Sequence, residues 1–137
     1  MIRKKLTVLC VDDEQLILNA LTALLRLRYN VITTTDAREA IEILKTTDVA
    51  VVISDQRMPT MEGAEFLKIA RQVSPSTTRI LLTGFSDLGA IVSTVNDSEV
   101  YRFLTKPWSN KEVLDIVADA VNVSKSLKMA EKPAATD

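Results

Sequence analysis

Two kinds of segment alternate along the chain. Short runs of apolar and β-branched residues are followed by longer segments whose apolar residues recur every three or four positions. The short runs are typical of buried strands, and the longer segments are typical of helices with one face on a core. The predicted strands cover residues 6–11, 31–35, 49–54, 78–83 and 100–105, and the predicted helices cover about 14–28, 37–45, 64–73, 88–96 and 110–127.

This alternation predicts an α/β fold: a doubly wound parallel sheet with right-handed crossovers and helices on both faces. Asp13, Asp36 and the pair Ser86-Asp87 precede three of the helices and are predicted to cap them. In a five-stranded sheet of order 2-1-3-4-5, the first and third strands flank the point where the strand order reverses. Ligands of such sheets bind there, beyond the carboxyl ends of the strands.

Four of the predicted strands end on a side chain that can take part in chemistry. Asp12 and Asp13 follow the first strand, Asp55 follows the third, Thr83 ends the fourth and Lys106 follows the fifth. Each has a commoner structural explanation on its own, such as an acidic helix start or a turn residue. Their joint placement at one edge of the sheet instead predicts a shared site.

Three carboxylates in one pocket repel each other, which favours a bound cation. Oxygen ligands with open coordination positions suit Mg²⁺. Lys106 is expected to pair with Asp55 or to hold a phosphate oxygen, and Thr83 offers a hydroxyl to another oxygen. This set of residues is suited to phosphoryl transfer onto a carboxylate.

The composition excludes most other kinds of site. The 137 residues contain no histidine and one cysteine, so histidine-based triads are absent and a zinc site lacks ligands. The three glycines form neither a dinucleotide-binding nor a P-loop motif. Cys10 lies in an apolar run and is predicted to be a small buried hydrophobe.

The balance of charge and the distribution of apolar residues indicate where the protein acts. A net charge of −1 gives no sign of direct binding to nucleic acid. The sequence has no signal peptide, no disulfide framework and no apolar stretch of the roughly 20 residues that a membrane span needs. We therefore expect a cytoplasmic protein of one domain that does not enter a membrane.

Four motifs in this order resemble the receiver domains of two-component response regulators. They are VDDE at residues 11–14, SDQRMP at 54–59, LTG at 82–84 and TKP at 105–107, and the resemblance extends over about residues 5–123. It implies a flavodoxin-like (βα)5 three-layer sandwich in which Asp55 accepts a phosphoryl group. It also implies several further roles: Mg²⁺ ligands at Asp12, Asp13, Asp55 and the backbone carbonyl of Arg57; phosphoryl contacts from Thr83 and Lys106; a switch aromatic at Phe103 beside the switch hydroxyl of Thr83; and a cis peptide before Pro107.

The segment VYRFLTKPW at residues 100–108 is more particular. It is similar to receivers found on NtrC-type transcriptional activators, including those that control hydrogenase genes, and on regulators with HD-GYP phosphodiesterase domains. Trp108 either anchors the start of the last helix on the sheet or contacts a partner.

The resemblance implies a signalling switch rather than a turnover enzyme, with only self-catalysed phosphotransfer and dephosphorylation. The phosphoryl donor would be a histidine kinase or a phosphotransfer protein. Phosphorylation would change the face formed by the fourth helix, fifth strand and fifth helix, and so control a homodimer or an output domain. We expect residues 1–124 to form the receiver and residues 125–137 to form the end of the last helix and a linker or tail.

Arg57 and Phe85 are large residues, each two positions after a site residue. In this fold they are expected to flank the path of water to the phosphoryl group, which predicts a long-lived phosphoaspartate.

Three other classes of protein share parts of this pattern. A Mg²⁺-dependent phosphohydrolase of the haloacid-dehalogenase type also uses an aspartate nucleophile, but it carries a D-x-D pair after its first strand. A pseudo-receiver would lack some site residues, and a flavodoxin-like electron carrier would need a phosphate-binding loop after the first strand.

Overall fold

The computed structural model describes residues 5–95 and 99–131. Its five strands form one sheet of order β2-β1-β3-β4-β5, and every neighbouring pair is parallel. The predicted architecture and strand order are therefore confirmed. The strands are β1 (Thr7–Val11), β2 (Asn30–Thr34), β3 (Val51–Asp55), β4 (Thr78–Gly84) and β5 (Arg102–Lys106).

Helices cover both faces of the sheet. They are α1 (Gln15–Leu25), α2 (Ala37–Thr46), α3 (Gly63–Val73), α4 (Leu88–Thr94) and α5 (Asn110–Glu131), and a 3₁₀ turn at Phe85–Asp87 precedes α4. The alternation of side chains along each strand divides the core in two. Val8 and Cys10 face α1 and α5, whereas Leu9 and Val11 lie in the cluster that contains α2 and α3.

The central strand β3 is buried along its whole length, as its unbroken apolar run predicts. Its last residue, Asp55, pairs with Leu82 of β4, and Val11 of β1 pairs with Ser54. The carboxyl ends of β1, β3 and β4 therefore lie side by side. This register brings the candidate residues of three strands to one edge.

Two of the three predicted helix caps differ from expectation. Asp36 accepts a hydrogen bond from the backbone N–H of Arg38, as predicted. At the start of α1, however, Asp12 rather than Asp13 accepts from the N–H of Glu14. Asp87 precedes α4 but makes no capping bond, because its backbone is already helical, with φ −96° and ψ −13°; its carboxylate binds Arg57.

The last helix continues further than the sequence pattern predicts. It extends to Glu131, past the loss of apolar periodicity near Lys128, because residues such as Lys, Met, Ala and Glu favour helix without needing a core. Ser124 donates a hydrogen bond to the carbonyl of Ser76, and Lys128 pairs with Asp48. The remainder of the predicted tail, and Asn96 at the predicted end of α4, lie outside the described residues.

None of the helices within the described ranges is long and apolar enough to cross a membrane.

Candidate functional site

Three carboxylates converge at the carboxyl ends of β1 and β3. One carboxylate oxygen from each of Asp12, Asp13 and Asp55 lies within 4.8 Å of the others. Asp12 is completely buried and Asp55 is 5% exposed, whereas Asp13 faces solvent. The structure thus brings together the three aspartates that the sequence predicts as a cluster.

Lys106 from β5 reaches into this cluster. Its Nζ lies 3.0 Å from Asp55 Oδ1 and 3.0 Å from Asp12 Oδ2, which confirms the predicted pairing with Asp55. Glu14 adds a weaker contact at 3.8 Å from the same ammonium. Lys106 and the three aspartates together carry a net charge of −2 when all four are ionised.

The electrostatics of the site follow from burial and crowding. Burial raises the pKa of Asp55 from its ordinary value of 3.8 to about 6; the Lys106 hydrogen bond opposes this rise and the charge of Asp12 adds to it. Burial also raises the pKa of Asp12. For Lys106, burial lowers the pKa, but its contacts with Asp12 and Asp55 together outweigh burial and raise it. The pocket therefore favours additional positive charge.

One buried oxygen at this edge, Thr83 Oγ1, lacks a hydrogen-bond partner among the described residues. Oδ2 of Asp12 is also buried, but the Lys106 ammonium lies 3.0 Å from it. Thr83 is 1% exposed. A buried hydroxyl without a partner costs free energy, so the Thr83 hydroxyl is available to bind an acceptor placed beside it.

The donor set fits a hard divalent cation. The carboxylate oxygens of Asp12, Asp13 and Asp55 are the ligand type that Mg²⁺ prefers, and the uncompensated charge equals that of one such ion. No histidine or thiolate ligand lies in the cluster, because the chain has no histidine and Cys10 is completely buried in the core. Burial raises the Cys10 pKa to about 12, which confirms its predicted role as an unreactive core residue.

The aromatic residues around β5 occupy different environments. Phe103 is partly buried and packs against the cluster that contains α2 and α3. Trp108 packs against the opposite cluster, and its Nε1 donates to Oδ1 of Asn110 at the start of α5. Trp108 thus anchors the last helix, the first of its two predicted roles. The peptide between Lys106 and Pro107 is cis, as predicted.

Arg57 and Phe85 lie on the two loops beside the acidic cluster and are largely exposed. The side chain of Arg57 is 79% exposed, and its Nη2 donates to Oδ1 of Asp87 at 2.8 Å. Phe85 is 76% exposed. The sequence predicts that both residues stand beside the site, but it gives no indication of the pairing with Asp87.

Gln56 and Gly63 are the site residues that the sequence reasoning missed. Gln56 is buried; its Oε1 accepts from the N–H of Ala64 and its Nε2 donates to Glu62, so it holds the start of α3. The N–H of Gly63 donates to the backbone carbonyl of Gln56 at 2.9 Å. The scarcity of glycine is the signal that could have pointed to Gly63, since only three occur.

Comparison with known proteins identifies the class. Residues 8–118 match the response regulator receiver domain family. The hydrogenase transcriptional regulatory protein HoxA of Cupriavidus necator is 39% identical over 118 residues, which cover 86% of this chain and 24% of that protein. The chain belongs to the receiver domain family of two-component response regulators.

Solved structures agree with this assignment. The receiver domain of an HD domain-containing protein from Pseudomonas fluorescens Pf-5 is 36% identical, with a TM-score of 0.85 over 94% of this chain and 96% of that one. Response regulator TrrA of Thermotoga maritima, in complex with Mg²⁺-BeF, is 25% identical, with a TM-score of 0.75 over 84% of this chain and 98% of that one.

These relatives confirm the predicted similarity to hydrogenase regulators and to HD-domain regulators. The chain spans about a quarter of the length of the curated regulators that it matches first, at 24% and 26%. Those regulators therefore carry further sequence beyond their receiver domains.

Proposed function

We propose that this receiver takes a phosphoryl group from a histidine kinase or a phosphotransfer protein onto Asp55 and thereby switches the state of its α4-β5-α5 face. The observation that carries this proposal is the arrangement around Asp55. An ammonium and two further carboxylates lie close to the one aspartate at the end of the central strand, and Thr83, whose hydroxyl is buried without a partner among the described residues, directly follows the β4 residue that pairs with Asp55.

The transfer step balances without a further reactant. A carboxylate oxygen of Asp55 attacks the phosphorus of a phosphohistidine, an O–P bond forms, and the N–P bond breaks with its electron pair returning to the imidazole. The nucleophile must be ionised, so a pKa of about 6 leaves Asp55 mostly reactive at neutral pH. Lys106 already contacts Asp55 and would move little to hold a phosphoryl oxygen.

Asp12, Asp13, Asp55 and the backbone carbonyl of Arg57 would hold Mg²⁺, as the resemblance implies and the charge of the cluster favours. When bound, Mg²⁺ neutralises the charge of the transferring phosphoryl group. The TrrA structure, a complex with Mg²⁺-BeF, supports this assignment by similarity of fold.

The switch follows from the hydroxyl of Thr83. A phosphoryl group adds a charge of about −2 and three acceptor oxygens, which gives this buried donor a partner. Movement of Thr83 toward Asp55 would open space on the β5 side, where Phe103 is only partly buried. Rotation of Phe103 would then alter the face of α4, β5 and α5, through which we propose homodimerisation or control of an output domain.

The donor protein would approach the open edge of the site beside α1. Leu16, two residues after Glu14, is 80% exposed and has no core role. A large apolar residue exposed beside a phosphoacceptor suits contact with a partner helix. We propose that Leu16 belongs to the surface that the phosphoryl donor contacts.

Intact mass after incubation with acetyl phosphate and Mg²⁺ tests the proposal. The wild type is expected to gain one phosphoryl group and Asp55→Asn none. Asp115→Asn, which removes an exposed carboxylate on α5, serves as a matched control and is expected to gain the group. A gain in Asp55→Asn would contradict the assignment, and sustained turnover of free phosphate esters would favour the phosphohydrolase. Sedimentation before and after phosphorylation tests the dimer.

A further inference from the structure

Arg57 and Asp87 join the two loops that border the acidic site. Arg57 lies two residues beyond β3, and Asp87 ends the 3₁₀ turn that follows β4. Their 2.8 Å ion pair lines a cleft of about 460 Å³ whose wall also includes Asp13. The cleft therefore gives the exposed guanidinium of Arg57 room to move toward the acidic cluster.

Asp87 also lies where a negative charge stabilises a helix. The 3₁₀ turn continues directly into α4, and Asp87 has helical backbone angles, φ −96° and ψ −13°, so it makes no capping hydrogen bond. Its carboxylate instead lies at the positive end of the α4 dipole, where it accepts from Arg57. Release of Arg57 would leave the full negative charge of Asp87 at the start of α4.

We propose that Asp87 is the resting partner of Arg57, and that phosphorylation of Asp55 transfers the guanidinium of Arg57 from Asp87 to the phosphoryl oxygens. This step rests on the function proposed above. The phosphoryl group carries about twice the charge of a carboxylate and more acceptor oxygens, and guanidinium groups bind such oxygens bidentately. The negative charge of Asp87 is then left uncompensated at the start of α4, where it favours the helix. The exchange links phosphorylation to α4 by a route separate from Thr83 and Phe103.

Amide hydrogen exchange of the unphosphorylated protein tests the pairing by itself. Arg57→Asn leaves the charge of Asp87 uncompensated beside the positive end of the α4 dipole, where it stabilises the helix. The Gly89 amide in the first turn of α4 is therefore expected to exchange about twofold to fivefold more slowly, a factor typical of exposed polar contacts. The double variant Arg57→Asn/Asp87→Ala is expected to lose this protection. Glu65→Gln, an exposed carboxylate of α3, is the control and is expected to match the wild type. If the Gly89 amide of Arg57→Asn exchanges at the wild-type rate, the inference is overturned.

The rate of dephosphorylation tests the transfer. Asp87→Asn removes the competing charge, so phospho-Asp55 is expected to last about twofold to fivefold longer than in the wild type. In the Arg57→Asn background, the same Asp87→Asn change is expected to have no effect on the rate. An equal effect in both backgrounds would overturn the transfer. If no variant gains phosphoryl mass, the proposed function fails, and the transfer fails with it.

Discussion

Gly63 lies directly against the backbone carbonyl of Asp55. A Cβ at position 63 would lie 2.1 Å from the carbonyl oxygen of Asp55 and 2.9 Å from a methyl carbon of Leu81. Backbone atoms of a buried central strand cannot move aside as the end of a flexible side chain can. The start of α3 therefore fixes the position of the proposed phosphoacceptor.

Gly63→Ala is expected to lower the free energy of unfolding by about 1–3 kcal/mol, the usual cost of forcing extra volume into a packed site. It should also slow phosphorylation by acetyl phosphate, because the Asp55 backbone must shift. Urea unfolding and the rate of mass gain measure the two effects.

Gly89→Ala is the matched control for this substitution. A Cβ at position 89 meets nothing within 4 Å, and Gly89 lies inside α4. Because alanine has a higher helix propensity than glycine, the free energy of unfolding of this variant is expected to rise by about 0.5–1 kcal/mol. An equal loss of unfolding free energy in Gly63→Ala and Gly89→Ala would show that the contact with Asp55 is not the reason for a glycine at position 63.

The sequence predicts the fold because two signals agree. The unbroken apolar strand 49–54 and the helical stripes around it leave a doubly wound sheet as the consistent solution, and the ends of β1, β3, β4 and β5 then place Asp12, Asp55, Thr83 and Lys106 at one edge. Motif order alone was sufficient to identify the family.

Features that depend on side-chain direction were not predictable from the pattern. Two aspartates at the start of α1 are equivalent as caps in sequence, and only the turn geometry selects Asp12 over Asp13. Likewise, the rule that an aspartate before a helix caps it predicts a backbone N–H as the partner of Asp87. Its actual partner is Arg57, thirty residues away in sequence. Pairings across loops depend on tertiary structure, which periodicity does not encode.

Asp55 gives a prediction for the dependence of stability on pH. Because burial raises the pKa of Asp55 to about 6 in the folded protein from an ordinary value of 3.8, its ionisation disfavours the folded state. The free energy of unfolding is therefore not reduced by Asp55 below about pH 4, where the carboxyl is protonated in both the folded and the unfolded protein. It falls as the pH rises from there through 6, because the unfolded protein loses this proton more readily. In the absence of Mg²⁺, the free energy of unfolding of Asp55→Asn is thus expected to exceed that of the wild type at pH 7 by up to about 3 kcal/mol.

Urea unfolding in EDTA between pH 4 and pH 7.5 measures this difference. The advantage of Asp55→Asn is expected to shrink toward zero at the acidic end, and added Mg²⁺ should stabilise the wild type more than the variant. A constant difference across this pH range would contradict the role of Asp55 ionisation.

Thr83 gives a further prediction, since its buried hydroxyl lacks a partner among the described residues. Thr83→Val keeps the shape and removes the unpaired oxygen, so the free energy of unfolding of the unphosphorylated protein should stay the same or rise by about 1 kcal/mol. If the hydroxyl binds the phosphoryl group, the same variant should respond less to phosphorylation, as measured by amide exchange over α4 and β5.

Thr83→Ser is the control, because it keeps the hydroxyl and loses only a methyl group. It is expected to retain the response to phosphorylation and to lose some stability. A marked loss of stability in Thr83→Val would show that the hydroxyl already has a partner in the resting protein.

The bulk of Arg57 and Phe85 leads us to expect slow hydrolysis of phospho-Asp55. Both are large and stand on the two loops beside Asp55, where they can obstruct water that approaches the phosphorus. Phospho-Asp55 of Arg57→Asn is expected to hydrolyse about tenfold faster than that of the wild type. This factor corresponds to about 1.5 kcal/mol, the lower end of the range for a hydrogen bond to a charged group. Phe85→Ala, which removes bulk without charge, should give a smaller acceleration.

Mass spectrometry over time, after removal of acetyl phosphate by desalting, measures each rate. Leu27→Ala, which removes a large exposed side chain between α1 and β2, at the other end of the sheet, is the control and is expected to keep the wild-type rate. An unchanged rate in Arg57→Asn would show that bulk at this position does not set how long the signal lasts. If Phe85→Ala alone accelerates hydrolysis, the obstruction comes from the β4–α4 loop, and Asp87 holds Arg57 even when Asp55 is phosphorylated.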